Sequence, residues 1–130
     1  MSAHHSFNAI RAAFLVAAVA ALAALTPSAA KAQDASVKTA STHASLAAKA
    51  ADLATTKKHM HHALNCLEGK SGKDYDASAG DPCKGVGAGS ANDAKVQEAV
   101  RLLNVGESLD SVTAAHHVAE AAAAVLAEIK

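Results

Sequence analysis

Residues 43–68 read HASLAAKAADLATTKKHMHHALNCLE, and the fold turns on this stretch. Leu46, Leu53, Met60, Leu64 and Leu67 follow one another at intervals of 7, 7, 4 and 3 residues, which places them on one stripe of an α-helix. Alanine fills the flanks of that stripe and favours helix strongly. Thr42 can cap the start and Gly69 can end it, so the pattern predicts a first helix over 43–68.

Beyond Gly69 the chain changes character. Residues 69–91 hold six of the seven glycines, Pro82 and three aspartates, which predicts a long loop. Asn92 or Asp93 can then cap a second helix ending near Val105, with Val96, Val100 and Leu103 inward and Gly106 as the stop. Ser108 can cap a third helix over 109–130, with Leu109, Val112, His116, Ala119, Ala123 and Leu126 on its core side. A second apolar line on that helix, Val118, Val125 and Ile129, calls for another neighbour: a helix of the same chain, a second copy or a partner helix. No stretch alternates as a strand does. The expected class is all-α, a small antiparallel three-helix bundle with a stapled Gly/Asp-rich loop between helices 1 and 2.

Upstream, residues 1–32 read as a secretory signal. Arg11 precedes an unbroken apolar run, Ala12–Leu25, of 14 residues, short of the roughly 20 that a membrane span needs. Ala30-Lys31-Ala32 fits the small-x-small cleavage rule, which predicts a cut before Gln33. An uncleaved membrane anchor is the alternative. After cleavage, 33–42 is expected to be disordered and 43–130 to form the bundle, with no membrane attachment and a periplasmic or secreted location. In an oxidising compartment, the two cysteines, Cys66 and Cys83, are expected to pair and staple the loop.

Composition narrows the function. The chain has 130 residues, 36 of them alanine, with 2 % aromatic and 12 basic against 12 acidic residues. Balanced charge gives no footing for nucleic acid. The near absence of aromatics makes a pocket for haem, for instance one held by His116, hard to build. Gly69-Lys70-Ser71 lacks the earlier glycine of a phosphate loop. Asp74-x-Asp76-x-Ser78 lacks the glycine and terminal glutamate that a calcium loop needs at their positions. No serine or cysteine has a base placed beside it in sequence, and the expected protein is not an enzyme.

The histidines carry the chemical signal. His59 and His62 are i, i+3 on one helix face and can chelate a metal ion, while His61 turns to the flank shared with His43. On the third helix, His116 and His117 lie within one turn of Glu120, which can act as ligand or orienter. At about 1.5 Å rise per residue, an up-down-up bundle brings both groups to the same depth near the stapled end. The expected ligand set is therefore His59, His62, His116, His117 and Glu120, for copper, nickel or zinc. The bland alternative is that the histidines are surface and helix-end residues of an interaction protein that binds through Val118, Val125 and Ile129.

The segments AVRLLNVGES (99–108) and AAHHVAEA (114–121) resemble the helical hairpins of small His-rich periplasmic metal-binding proteins. That resemblance implies an exported helical bundle that sequesters copper, nickel or zinc. This chain has fewer histidines than that pattern and adds a Cys-stapled loop, which implies one or two sites rather than many.

Overall fold

A computed structural model describes residues 27–89 and 93–130. It contains four α-helices: α1 (Pro27–Ala47), α2 (Leu53–Glu68), α3 (Ala94–Ser108) and α4 (Val112–Ala127), plus a 3-10 turn at Ala77–Ala79. No strand occurs among the described residues. The expected leader lies mostly outside them; only 27–32 are described, and they open α1.

Two expectations are corrected together. The helix expected over 43–68 is two helices, and the bundle has four helices rather than three. The chain breaks at 48–52 because Asp52 offers α2 a better start than continuation does. Its Oδ1 accepts from the Thr55 backbone N–H at 2.8 Å, and its Oδ2 accepts from the Thr55 hydroxyl at 3.0 Å. Aspartate competes for backbone donors in this way and so favours caps over helix interiors. Before the break, the Lys49 and Ala50 N–H groups reach back three residues to Leu46 and Ala47, closing α1.

The segment 33–42, expected to be disordered, lies within α1. Its small polar residues satisfy themselves inside the helix: the hydroxyls of Thr39 and Thr42 donate to carbonyls four residues back, at 2.8 and 3.0 Å. Val37, Ala40, Ala44 and Ala47 form the buried seam of α1. Because of the break, Leu46 leaves the expected stripe and is 43 % exposed, whereas Met60, Leu64 and Leu67 of α2 are buried.

The helices form a ring. α1 packs on α2 and α4, and α3 packs on α4 and α2. Lys95 at the start of α3 pairs with Glu128 just past the end of α4, at 2.7 Å, so these two run antiparallel. Met60, Leu64, Leu103 and Leu126 are the large, fully buried side chains. Alanines 40, 44, 47, 63, 99, 115, 119 and 122, each fully buried, pack among them, with Val37, Leu67, Val96 and Val100 also in the core. Small side chains let helix axes come close, and a core of this kind gains more from close contact than from area.

Two helix ends also depart from expectation. Asp93 caps α3 as expected, but Gly106 does not stop it; α3 continues to Ser108. Gly106 is a point of close approach instead: a Cβ there would lie 2.6 Å from Met60 Cε. The cap of the last helix is Ser111, not Ser108, with Oγ 3.4 Å from the Ala114 nitrogen. The second apolar line is used within the chain. Val125 and Ile129 pack against the core, and Val118 lies over Gly106.

The loop after α2 is fastened as the cysteines foretold. Gly69 ends α2 with φ +64, where it nearly touches Gly87. Cys66 and Cys83 form a disulfide. The Ala88 N–H donates to the Leu67 carbonyl at 2.9 Å. The side chain of Asn65, fully buried, donates to the carbonyls of Asp76 and Gly80, both at 2.7 Å, and accepts from the Asp76 N–H at 2.9 Å.

Met60 fills the notch left by Gly106 and is fully buried, so Met60→Ala leaves a cavity among helices α2, α3 and α4. Urea unfolding is expected to register a loss of about 2–5 kcal/mol. A loss under about 1 kcal/mol would mean that this junction is not tightly packed.

Candidate metal centre

The break at 48–52 folds α1 back along α2 and brings His43 against His59. The Nδ1 atoms of these two rings are 3.2 Å apart. His62, one turn beyond His59, completes the group: its ring centroid is 4.8 Å from that of His43 and 5.8 Å from that of His59. One ring nitrogen from each of the three lies within 4.8 Å of the others. All three rings are half-buried.

The hydrogen bonding of His62 sets its tautomer. Its Nε2 is 2.7 Å from the carbonyl oxygen of Ala79, which can only accept, so Nε2 carries the proton. The nitrogen left with a free lone pair is Nδ1, and it is buried without a hydrogen-bond partner. Between His43 and His59, one Nδ1 donates to the other; for both Nδ1 atoms to face an ion, the donor ring would carry its proton on Nε2 instead.

Electrostatics keep two of these imidazoles neutral. His43 is pushed below the ordinary histidine value by burial first, then by the charge that would develop on His62 and His59. His59 is pushed down by burial, then by His62 and by neighbouring Lys58. Neutral imidazole is the form that binds metal. Zinc–nitrogen bonds of about 2.0–2.1 Å in a tetrahedron separate ligand nitrogens by about 3.3 Å, close to the His43–His59 spacing. Three nitrogens leave a fourth position for water or a further ligand.

The five expected ligands do not gather at this centre. His59 and His62 do, and their third partner is His43 rather than a residue of α4. His116 turns to α2, with Nε2 3.2 Å from the Thr56 hydroxyl. That hydroxyl donates to the Asp52 carbonyl at 2.8 Å, so it accepts from the His116 ring. His117 and Glu120 meet each other at 3.4 Å, but their side chains are 73 % and 62 % exposed. The height estimate puts all of these at one level; in the structure His116 meets α2 at Thr56, three residues before His59, and His117 and Glu120 face solvent. His43 was within reach of the sequence: an Asp52 cap implies a hairpin, and a hairpin pairs residues before 48–52 with residues after it.

His61, between the two candidate ligands of α2, faces α3. Its Nε2 is 3.1 Å from Glu107 Oε2. Burial pushes the Glu107 carboxyl up to about 7, against the opposing pull of Lys57 and His61. The second carboxylate oxygen and the His61 Nδ1 are both buried and unpaired. The spacing of the sequence gave no sign of this pair.

No protein family, curated protein or solved structure matches this chain.

Glu107 holds its proton more tightly in the folded protein than in the unfolded chain. Its contribution to stability is therefore complete below its ordinary value near 4.5 and is lost as pH rises through about 7. Glu107→Gln keeps a hydrogen-bonding group of the same size but removes this titration. Relative to the parent protein, the variant is expected to be more stable at pH 8 than at pH 5 when both are unfolded in urea. An unchanged difference between the two pH values would mean that the carboxyl is not perturbed.

Proposed function

We propose that this chain is an exported, non-enzymatic helical protein that binds one transition-metal ion, copper, nickel or zinc, through His43, His59 and His62. Its role is to buffer the ion or hand it on. The observation that carries this reading is the His62 ring: its Nε2–H is committed to the Ala79 carbonyl, and its Nδ1 is buried and unpartnered beside two further imidazoles. Metal-bound histidines commonly donate their other ring N–H to a carbonyl in this way. A buried lone pair with no donor costs free energy that a cation would recover.

Further features support the rest of the reading. An all-nitrogen set suits copper, nickel and zinc and gives nothing to calcium or magnesium, which take oxygen. Three ligands with an open fourth position favour exchange with a partner over permanent burial of the ion. The disulfide accords with an oxidising compartment. No described helix is long and apolar enough to cross a membrane. Among the described residues, burial along α1 begins only at Ser36, and none of 28–32 is buried, so a cut before Gln33 would leave the described core intact.

Calorimetric titration of the oxidised protein with Zn(II), Cu(II) and Ni(II) is expected to show one ion per chain for at least one of them. His43→Ala is expected to weaken that binding by at least about tenfold, the scale on which even outer partners of a metal act. His116→Ala and His117→Ala should leave it unchanged. Binding that survives His43→Ala but fails in the α4 variants would assign the ion elsewhere, and no binding of any of the three ions would remove the reading.

A further inference from the structure

We infer that Asn65 is the positioning residue of the His43–His59–His62 centre, acting through the 76–80 turn to fix which nitrogen of His62 is offered to the ion. This rests on the metal-binding reading and adds the control of its affinity.

The turn is gripped on both sides of Ala79. Asn65 lies three residues, about one helical turn, beyond His62 and points, fully buried, into the loop that follows α2. Its Nδ2 donates to the Asp76 carbonyl before Ala79 and to the Gly80 carbonyl after it, both at 2.7 Å. Its Oδ1 accepts the Asp76 N–H at 2.9 Å. A carboxamide is the smallest side chain that supplies two donors and an acceptor in this arrangement. The 3-10 turn Ala77–Ala79 is thereby held with the Ala79 carbonyl directed at His62 Nε2, 2.7 Å away.

The loop approaches the ring closely here. A Cβ on Gly80, whose φ is +96, would lie 3.0 Å from His62 Nε2. A residue with a side chain at position 80 would both strain the backbone and press on the ring. Asp76 adds a local brace, accepting from the Ser78 N–H at 2.8 Å and the Ser78 hydroxyl at 2.6 Å. The disulfide ties the loop only at Cys83, beyond the gripped turn, so it bears on Ala79 less directly than Asn65 does.

The chemistry follows from the two tautomers of imidazole. With the Ala79 carbonyl in place, the proton stays on Nε2 and the Nδ1 lone pair is permanently available. With the carbonyl displaced, the ring can carry its proton on either nitrogen, and the ion must first select the tautomer and orientation that the loop otherwise supplies. Groups that orient a ligand in this manner change metal affinity by about 10- to 100-fold.

Two measurements on the full oxidised chain test this. The first uses 15N-resolved NMR of the metal-free protein, above the pH at which its histidines titrate, to read the His62 tautomer. The expected result is a proton on Nε2 in the parent protein and a mixture in Asn65→Ala, with the pattern of His116 unchanged. A parent His62 protonated on Nδ1, or a tautomer indifferent to Asn65→Ala, overturns the inference. The second titrates Zn(II) into the parent, Asn65→Ala and Asn65→Asp, each checked for helical content. Both variants are expected to bind about 10- to 100-fold more weakly. Equal affinity in a folded variant also overturns the inference. If neither variant folds, Asn65→Ser, which keeps a single donor in a smaller side chain, takes their place in both measurements with the same expected and overturning results. A parent protein that binds no Zn(II), Cu(II) or Ni(II) defeats the metal reading alone, while the tautomer comparison still judges the role of Asn65.

Discussion

The cap at Asp52 is the constraint on which the site depends. Along one unbroken helix, His43 and His59 would sit 16 residues and about 24 Å apart. With α2 restarting at Leu53, α1 folds back and the same two rings come within 3.2 Å. Thr56 joins this corner to the rest of the bundle: its backbone N–H and hydroxyl both donate to the Asp52 carbonyl, and its hydroxyl receives the His116 ring from α4. His116 thus shapes the corner that creates the site without being a member of it.

The bundle that holds this corner is built from small side chains. The described core contains no aromatic ring, and half of its residues are alanine. Each alanine removes little area from water, so specificity must come from matched shape, such as the Met60 side chain over Gly106. A core this light leaves the loop after α2 little apolar surface to rest on. The loop is held instead by directed bonds: the disulfide, the Asn65 carboxamide, and the Ser36 hydroxyl, which lies 3.1 Å from the Val86 carbonyl. Directed bonds fix a carbonyl in place more sharply than apolar contact does, and the carbonyl that matters to the site is that of Ala79.

What could be read in the sequence follows the range of each interaction. The helical class, the loop, its staple and the cap at Asp93 depend on neighbours in sequence or on cysteine chemistry, and all were legible. Gly106 was read as a helix stop because glycine usually signals one; its real use depends on Met60, 46 positions away, which no local rule can supply. The 33–42 segment was misread because Ser36, Thr39 and Thr42 resemble a polar linker until their hydroxyls are seen to be satisfied, those of Thr39 and Thr42 within the helix and that of Ser36 between the Ala32 and Val86 carbonyls. The site was half legible. The i, i+3 pair His59 and His62 stood out, whereas His43 depended on recognising a cap in the middle of an alanine-rich stripe.

The run His59-Met60-His61-His62 shows how one turn of helix distributes chemistry. Successive residues advance by about 100°, so His59 and His62 differ by only about 60° while Met60 and His61 point elsewhere. His59 and His62 face His43 of α1, Met60 enters the core beneath Gly106 of α3, and His61 meets Glu107 of α3. Three imidazoles within four residues of sequence therefore do not make a three-imidazole site. The third ring comes from another helix, and the one left over is held away by a carboxyl group. This division keeps the centre free of acidic ligands: among the described residues, the group that could hold an ion consists of histidines alone. Such a set offers no anionic charge to hard cations and relies on the softer nitrogen donors that copper, nickel and zinc prefer.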